Sequence, residues 1–362
     1  MERINVNDLT RRPPLVGRYS LEEVALAARN SGMPLEGLRH DVTPLGMHYV
    51  LIHFDIPELA PAAWQLEIVG RVERPARLAL RDLQALPQRT VRATLECAGN
   101  GRAQMSPRYP SVPWIEEGVS TADWTGTPLA GVLEAAGLRP DAREIVFWGA
   151  DRGIDRGVEH AFARSLAPAD ALRGEVLLAW AMNGQPLAPP HGAPLRLVVP
   201  GWYGMASVKW LVRVEVIDRA FDGVQQAHGY HFRQATGQRG LPCTRMRVNS
   251  LLAPPGIPDF YTRARVLAAG HVEIQGRAWS GEAPVARVEL GVDGEWRNAR
   301  LEAAPALHAW QRWTADWDAG PGEHELACRA TDAAGRVQPL EPPWDVSGFG
   351  NNAVQKVRVR VV

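Results

Sequence analysis

Net charge is the first thing this 362-residue chain lacks, because forty basic side chains meet forty acidic ones. Such a chain has no overall field to recruit nucleic acid, an anionic membrane or a highly charged partner, so small-molecule chemistry is the better expectation. Cysteine is scarce as well. Cys97, Cys243 and Cys328 are odd in number and far apart, which argues against a disulfide framework, fits a reducing compartment and leaves room for one reactive thiol. No run of about 18 apolar residues free of charge occurs, which excludes a transmembrane helix on length. The segment Met1 to Pro14 is polar, and its Arg11-Arg12-Pro13-Pro14 is followed by no apolar run of the kind a signal peptide needs. A soluble, cytoplasmic protein is expected. Internal repeats and low-complexity tracts are missing too. No Gly-x-Gly-x-x-Gly follows a strand, so no nicotinamide site is expected.

What is present is length and apolar residues. With 46% apolar composition and a size beyond the ~250–300 residues at which one core stops growing, two domains are expected. Ser20 and Glu23 form a capping box ahead of a helix over Leu21 to Asn30, with Leu21, Val24, Ala25 and Ala28 on its apolar face. Alternation at Trp64, Leu66, Ile68, Gly70 and Val72 predicts a strand. Thr127 caps, and Pro128 begins, a helix lined by Leu129, Val132, Leu133 and Ala136 and ended by Gly137. Strands are predicted over Glu144–Trp148, Val176–Met182 with an Asn183-Gly184 hairpin, Leu195–Val199 and Ser207–Val216. From Ile217 to Pro258 glycine and proline punctuate a long connection. Beyond it, short alternating runs at His271–Ala278, Ala286–Val292, Glu323–Ala330 and Val354–Val361, with Asp293-Gly294 as a turn, predict an all-β sandwich. The expectation is an α+β catalytic domain over residues 1–244 and a sandwich over 245–362.

One motif carries chemistry. In Thr94-Leu95-Glu96-Cys97-Ala98-Gly99-Asn100-Gly101-Arg102 a thiol follows a strand-like run and precedes a Gly-rich turn, which places it for exposure near backbone amides. A thiolate is a soft ligand for a polarizable metal, and the charge of Arg102 would lower its pKa. This stretch resembles the molybdenum-ligand loop of the sulfite oxidase family. The resemblance continues through Asp123-Trp124-Thr125-Gly126, Met182-Asn183-Gly184-Gln185-Pro186-Leu187, His191-Gly192-Ala193-Pro194-Leu195-Arg196, Val199-Pro200-Gly201-Trp202-Tyr203-Gly204, Ser207-Val208-Lys209-Trp210, and Trp344 with Gly348-Phe349-Gly350-Asn351-Asn352.

The resemblance implies one molybdenum-molybdopterin per chain, with the pterin dithiolene giving two sulfurs to the metal and Cys97 the third. It implies that His191, Arg196 and Lys209 hold the pterin phosphate and polar edge, with Ser207, Val208 and Asp151 adding contacts and Tyr49, Val50, Leu51 and His53 lining the same stretch. Arg196 and Lys209 lie in apolar runs where an unpaired charge is costly, and a phosphate would satisfy them. Catalytic roles fall by the same resemblance to Cys97, Arg102, Trp114 and Tyr230. The sandwich becomes an immunoglobulin-like dimerisation domain, giving a homodimer. No His-Pro-Gly-Gly and no Cys-x-x-Cys-His occurs, so no fused haem is expected and electrons leave to a separate acceptor, a cytochrome or oxygen.

The implied activity is oxidation of sulfite to sulfate. Two arginines of the family pocket are replaced here by Leu51 and Ser347. A hydrogen bond to a charged group contributes about 1.5–3 kcal/mol, so their loss weakens a dianion by roughly 3–6 kcal/mol unless His40, His53, Arg39 or Arg108 compensates. The alternatives are a less charged substrate, such as a sulfoxide, an N-oxide or an organic sulfur compound, or a metal-free dimeric scaffold.

Overall fold

The structure, a computed structural model, describes residues 19–362; Arg11 and Arg12 lie outside them. Two sheets build the N-terminal part. The first is ordered 76–79, 65–70, 211–217, 144–155, 158–166, antiparallel except for the parallel pair 65–70 with 211–217. In the second, Arg89–Glu96, Val119–Pro128 and Leu177–Met182 lie side by side, and Arg196–Val198 also pairs with the last of these. Sheet dominates, since the α-helices of the described residues are the short segments Leu21–Arg29, Leu80–Gln84, Leu129–Ala136 and Pro168–Ala171.

The C-terminal part is a sandwich of a four-stranded and a six-stranded sheet. Its strands form where the sequence alternates. In Gln355–Val361, Val357, Val359 and Val361 point inward while Lys356 and Arg358 stay exposed, the period-2 pattern of a half-buried strand. Those valines meet Ile274, Trp313 and Trp317 of the opposing sheet in one core, each contributing about 1.5–3 kcal/mol by burial. Asn183-Gly184 and Asp293-Gly294 both take positive φ at both residues, as tight hairpins matched to strand twist require.

Four expectations need correction. The first helix has its capping box, but Leu21 and Val24 face solvent while Glu23 is buried. The inner face is held by an ion pair, Glu23 with Arg108, which the apolar spacing does not reveal. Thr127 does not cap the Leu129–Ala136 helix; its hydroxyl bonds the Pro87 carbonyl and Pro128 occupies the cap. The connection after Ile217 carries a π turn (Gln225–Gly229) and the strand Asn249–Leu252 of the sandwich. The two cores are also less separate than expected, because Trp279, Trp310 and Phe349 of the C-terminal part pack into the N-terminal core. No helix among the described residues is long and apolar enough to cross a membrane.

A surface pair in the sandwich gives a pH test. His324 Nδ1 lies 2.7 Å from Asp293 Oδ2 and Nε2 lies 2.9 Å from the Gly320 carbonyl, and two acceptors satisfy the ring only when both nitrogens carry protons. The hydrogen bond to Asp293 raises the His324 pKa. A raised folded-state pKa means the stabilisation is fully present below the ordinary histidine value and is lost as pH rises through the folded one. His324→Gln should therefore cost up to about 1 kcal/mol at acidic pH, given solvent screening, and nearly nothing in alkali. Thermal melts at both pH values check this, and a larger loss in alkali would contradict it.

Candidate active site

The strand Arg89–Glu96 ends one residue before Cys97, and a tight turn fixes the backbone on the far side of the thiol. The Asn100 amide bonds the Cys97 carbonyl at 2.9 Å, the Arg102 amide bonds the Gly99 carbonyl at 3.1 Å, and Gly101 takes φ 77°. Asn100 clamps the turn from both sides, donating to Glu96 Oε1 and accepting from the Gly118 amide. Glu96 is buried and receives Asn249 Nδ2 at 3.1 Å and Trp279 Nε1 at 3.0 Å from the sandwich. The loop that presents the thiol is therefore fastened to both domains.

Cys97 is 7% exposed, so the sulfur is not the surface thiol that the sequence suggests. It opens instead onto two clefts that meet there. Burial raises its pKa, and the Arg102 charge opposes that without overcoming it, which corrects the expectation of a lowered pKa. Proton loss would need a metal, which deprotonates a coordinating thiol outright. Among the described residues no group of three His, Cys, Asp or Glu side chains converges to hold an ion. Cys97 by itself could offer a metal only one bond, so any metal held here would need further donors from a cofactor.

The inner cleft is lined by Tyr49, Val50, Leu51, His53, Asp151, His191, Arg196, Ser207, Lys209 and Tyr230 together with Cys97. Residues up to 181 positions apart in the chain are thus gathered as expected. Val208 is the exception. Its side chain belongs to the hydrophobic core, and its amide and carbonyl are taken by Ala206 and Leu197.

Among the described residues neither cation of this cleft, Arg196 nor Lys209, forms an ion pair with a carboxylate, and Asp151 is the acid that shares the lining. Arg196 donates to the carbonyls of His191 and Ser207 at 3.1 Å each and lies over the Trp124 ring. Burial lowers its pKa to about 10. Lys209 Nζ bonds the Leu51 and Pro190 carbonyls at 2.8 and 2.9 Å, and burial, then the Arg196 charge, lowers it to about 7. Asp151 pulls the other way on Lys209 and is itself raised to about 6 by burial. Each cation thus has carbonyl partners that the sequence did not anticipate, yet an anion in the cleft would still stabilise both.

His48, which sequence reasoning missed, supplies a complementary feature. Its Nδ1 lies 2.9 Å from the Tyr49 carbonyl, so that nitrogen carries the proton and Nε2 offers a lone pair. Burial holds its pKa near 3, and the buried Nε2 has no partner. A buried acceptor left unpaired costs about 1–3 kcal/mol. A flat molecule with N–H donors and a phosphate, as molybdopterin is, answers both needs. The residues fit the group.

The second cleft is lined by Arg102, Trp114, Phe349 and Ser347, and shares Cys97, Leu51, His53 and Tyr230 with the first. Arg102 is buried, with Nε on the Ser347 carbonyl at 3.2 Å and Nη1 on the Val112 carbonyl at 3.1 Å. Its guanidinium passes so close to Gly99 and Gly348 that a Cβ at either would collide with it. Tyr230 stacks on Phe349 at 5.0 Å, and its hydroxyl meets His53 Nε2 at 2.6 Å. Burial raises the phenol pKa and lowers His53 to about 3, so the phenol stays protonated and the imidazole neutral. The Trp114 indole N–H is buried without a partner. Of the compensating cations considered, Arg108 is tied to Glu23, and neither Arg39 nor His40 lines either cleft. Phe349 and Arg164, a buried cation over the Tyr230 ring, were missed because only tertiary contact brings them here.

Two clefts that meet at one buried thiol, the inner one carrying buried cations, form a site suited to an anionic cofactor whose metal takes a soft ligand. Family models for an oxidoreductase molybdopterin binding domain and a Mo-co oxidoreductase dimerisation domain match residues 53–225 and 242–362. Similar proteins include a mitochondrial sulfite oxidase of Drosophila melanogaster, 33% identical over 88% of this chain and 59% of that one. A sulfite oxidase of Gallus gallus is 33% identical over 86% of this chain and 72% of its own length. Nitrate reductase [NADH] 1 of Arabidopsis thaliana is 28% identical over 92% and 40%. The crystal structure of the sulfane dehydrogenase SoxCD from Paracoccus pantotrophus superposes with a TM-score of 0.80 at 26% identity, over 99% of this chain and 90% of that one. The chain belongs to the sulfite oxidase family of molybdopterin oxidoreductases and is an enzyme of that cofactor. It spans about three fifths of the length of the first of these relatives.

Proposed function

We propose that this enzyme oxidises sulfite to sulfate, with Cys97 as the protein's ligand to molybdenum. The reaction balances as sulfite plus water giving sulfate, two protons and two electrons. The electrons pass one at a time to an external acceptor, a cytochrome or oxygen. The molybdenum cofactor supplies the two-electron redox change and the transferred oxygen. What carries the reading is that the cleft with the buried cations Arg196 and Lys209 and the cleft with Arg102 meet at one sulfur.

The chain's own residues divide the work. Arg196, Lys209, His191, Ser207 and the His48 lone pair bind the pterin and its phosphate. Arg102 keeps Nη2 free for an oxyanion after its other nitrogens are tied to carbonyls, and the Trp114 N–H adds a second donor. Tyr230 Oη and His53 Nε2 are hydrogen-bonded at the junction, and with the imidazole proton on Nε2 the phenol O–H is left to face the clefts. We place the domain boundary after residue 244 and read the sandwich as an immunoglobulin-like module that pairs two chains about a twofold axis. Three free, buried cysteines support a reducing compartment, and we propose the cytoplasm.

Leu51 favours a second reading, in which the substrate is a less charged sulfur or nitrogen oxide. Its side chain lines both clefts where a cation would meet a dianion. Purified metal-loaded protein should oxidise sulfite with ferricyanide as acceptor. Leu51→Arg should lower the sulfite KM by about tenfold or more, as one added charged hydrogen bond implies. Absence of sulfite-dependent reduction in both proteins would defeat the first reading.

A further inference from the structure

The second cleft continues outward into a groove, because Tyr109, Arg156 and Ser347 line both. Charge along this path is uneven. Close to Cys97 the wall carries Leu51, Phe349 and Arg102, with two guanidinium nitrogens of Arg102 already bonded to carbonyls. Farther out stand Arg156 and Arg233. The Arg233 guanidinium is clamped by the carbonyls of Arg239 at 3.4 Å and His228 at 3.1 Å, and among the described residues it pairs with no carboxylate. Holding an arginine in place beforehand removes much of the ordering cost of binding an anion.

The acids nearby do not cancel this charge. Asp345 turns its carboxylate to the amides of Arg233, Ser347 and Phe349. Asp155 accepts from Gln225 and approaches Arg156 only to 3.8 Å at partly exposed side chains, a contact worth little in water. His228 and Tyr109 also line the groove and bring no carboxylate to it.

We propose that this outer groove is an anion subsite, which holds the distal carboxylate or sulfonate of an elongated organic substrate while its reacting sulfur lies beside Cys97. The inference rests on the reading of Cys97 as the reaction centre. It extends the substrate class from compact dianions to sulfur compounds with a separate anionic tail. Arg156 and Arg233 recognise the tail through their planar donor forks.

The test is calorimetric binding to the metal-loaded enzyme, which needs no turnover. The probes are methanesulfonate and a series of sulfonates bearing a carboxylate one to four methylenes away. One length should bind about tenfold more tightly than methanesulfonate, and that advantage should vanish in Arg233→Gln and shrink in Arg156→Gln, with methanesulfonate unchanged. Arg233→Lys should recover part of it. Equal affinity along the series, or an equal loss for methanesulfonate in the variants, would overturn the subsite. Length-dependent binding in an enzyme that does not oxidise sulfite would keep the subsite and remove the sulfite assignment. Sulfite oxidation with a flat series would do the reverse.

Discussion

Cys97→Ser should fold as the parent does and lose sulfite oxidation by at least ~10³-fold, about 4 kcal/mol in the barrier. The side chain is 7% exposed and belongs to one packed cluster with Tyr49, Trp114 and Leu95. Serine is smaller by a fraction of one atom and keeps its neighbours in place, so the melting temperature should shift by only a few degrees. The chemistry changes far more. A hydroxyl is a harder donor than a thiolate and stays protonated at neutral pH, so the soft bond from protein to metal is lost. Arg196, Lys209 and His48 are untouched, so pterin content measured by fluorescence after denaturation should remain near that of the parent. A variant that kept more than about a tenth of the activity would mean that the sulfur is not the ligand. One that lost pterin and activity together would move the role of Cys97 from metal ligation to holding the cleft open.

How much of this was legible in the sequence depends on the range of the interaction that decides each element. Alternation in Gln355–Val361 and the Asn-Gly and Asp-Gly turns are local, and they fold as read. The face of the first helix is not local, because Glu23 is drawn inward by Arg108, 85 positions away. Spacing of Leu21 and Val24 could not anticipate that partner. In the site, the residues carried by the family resemblance line the clefts with the single exception of Val208. His48 and Phe349 were invisible for a physical reason. The role of His48 comes from an unpaired nitrogen, and that of Phe349 from stacking on a tyrosine 119 positions earlier. His48 leaves no motif, and Phe349, although it sits in the Gly348-Phe349-Gly350-Asn351-Asn352 stretch, shows nothing there of its stacking partner. The charges that sequence reasoning wished to neutralise, Arg196 and Lys209, turn out to be held by backbone carbonyls, whose positions only the folded chain defines.

Arg102→Met should lower kcat/KM for sulfite by roughly 10²–10³-fold, since it removes a charged donor and leaves the Ser347 and Val112 carbonyls without theirs. The same residue can be disturbed without touching it. Gly348 has φ 69°, and a Cβ there would lie 2.5 Å from Arg102 Cγ and 2.7 Å from its Nε. Gly348→Ala should therefore cost about 1–3 kcal/mol in backbone strain and also displace the guanidinium. The kinetic signature separates the two effects. Strain alone lowers the melting temperature and leaves the KM of the surviving enzyme unchanged, whereas a displaced Arg102 raises the sulfite KM by about tenfold at a temperature well below the melt. Arg102→Lys should resemble the methionine variant more than the parent, because one ammonium cannot reproduce a fork that bonds two carbonyls and still faces the cleft. A normal sulfite KM in Gly348→Ala would show that the C-terminal segment merely covers the site. A raised one would show that the sandwich, through Gly348 and the Ser347 carbonyl, sets the position of the cation that meets the substrate.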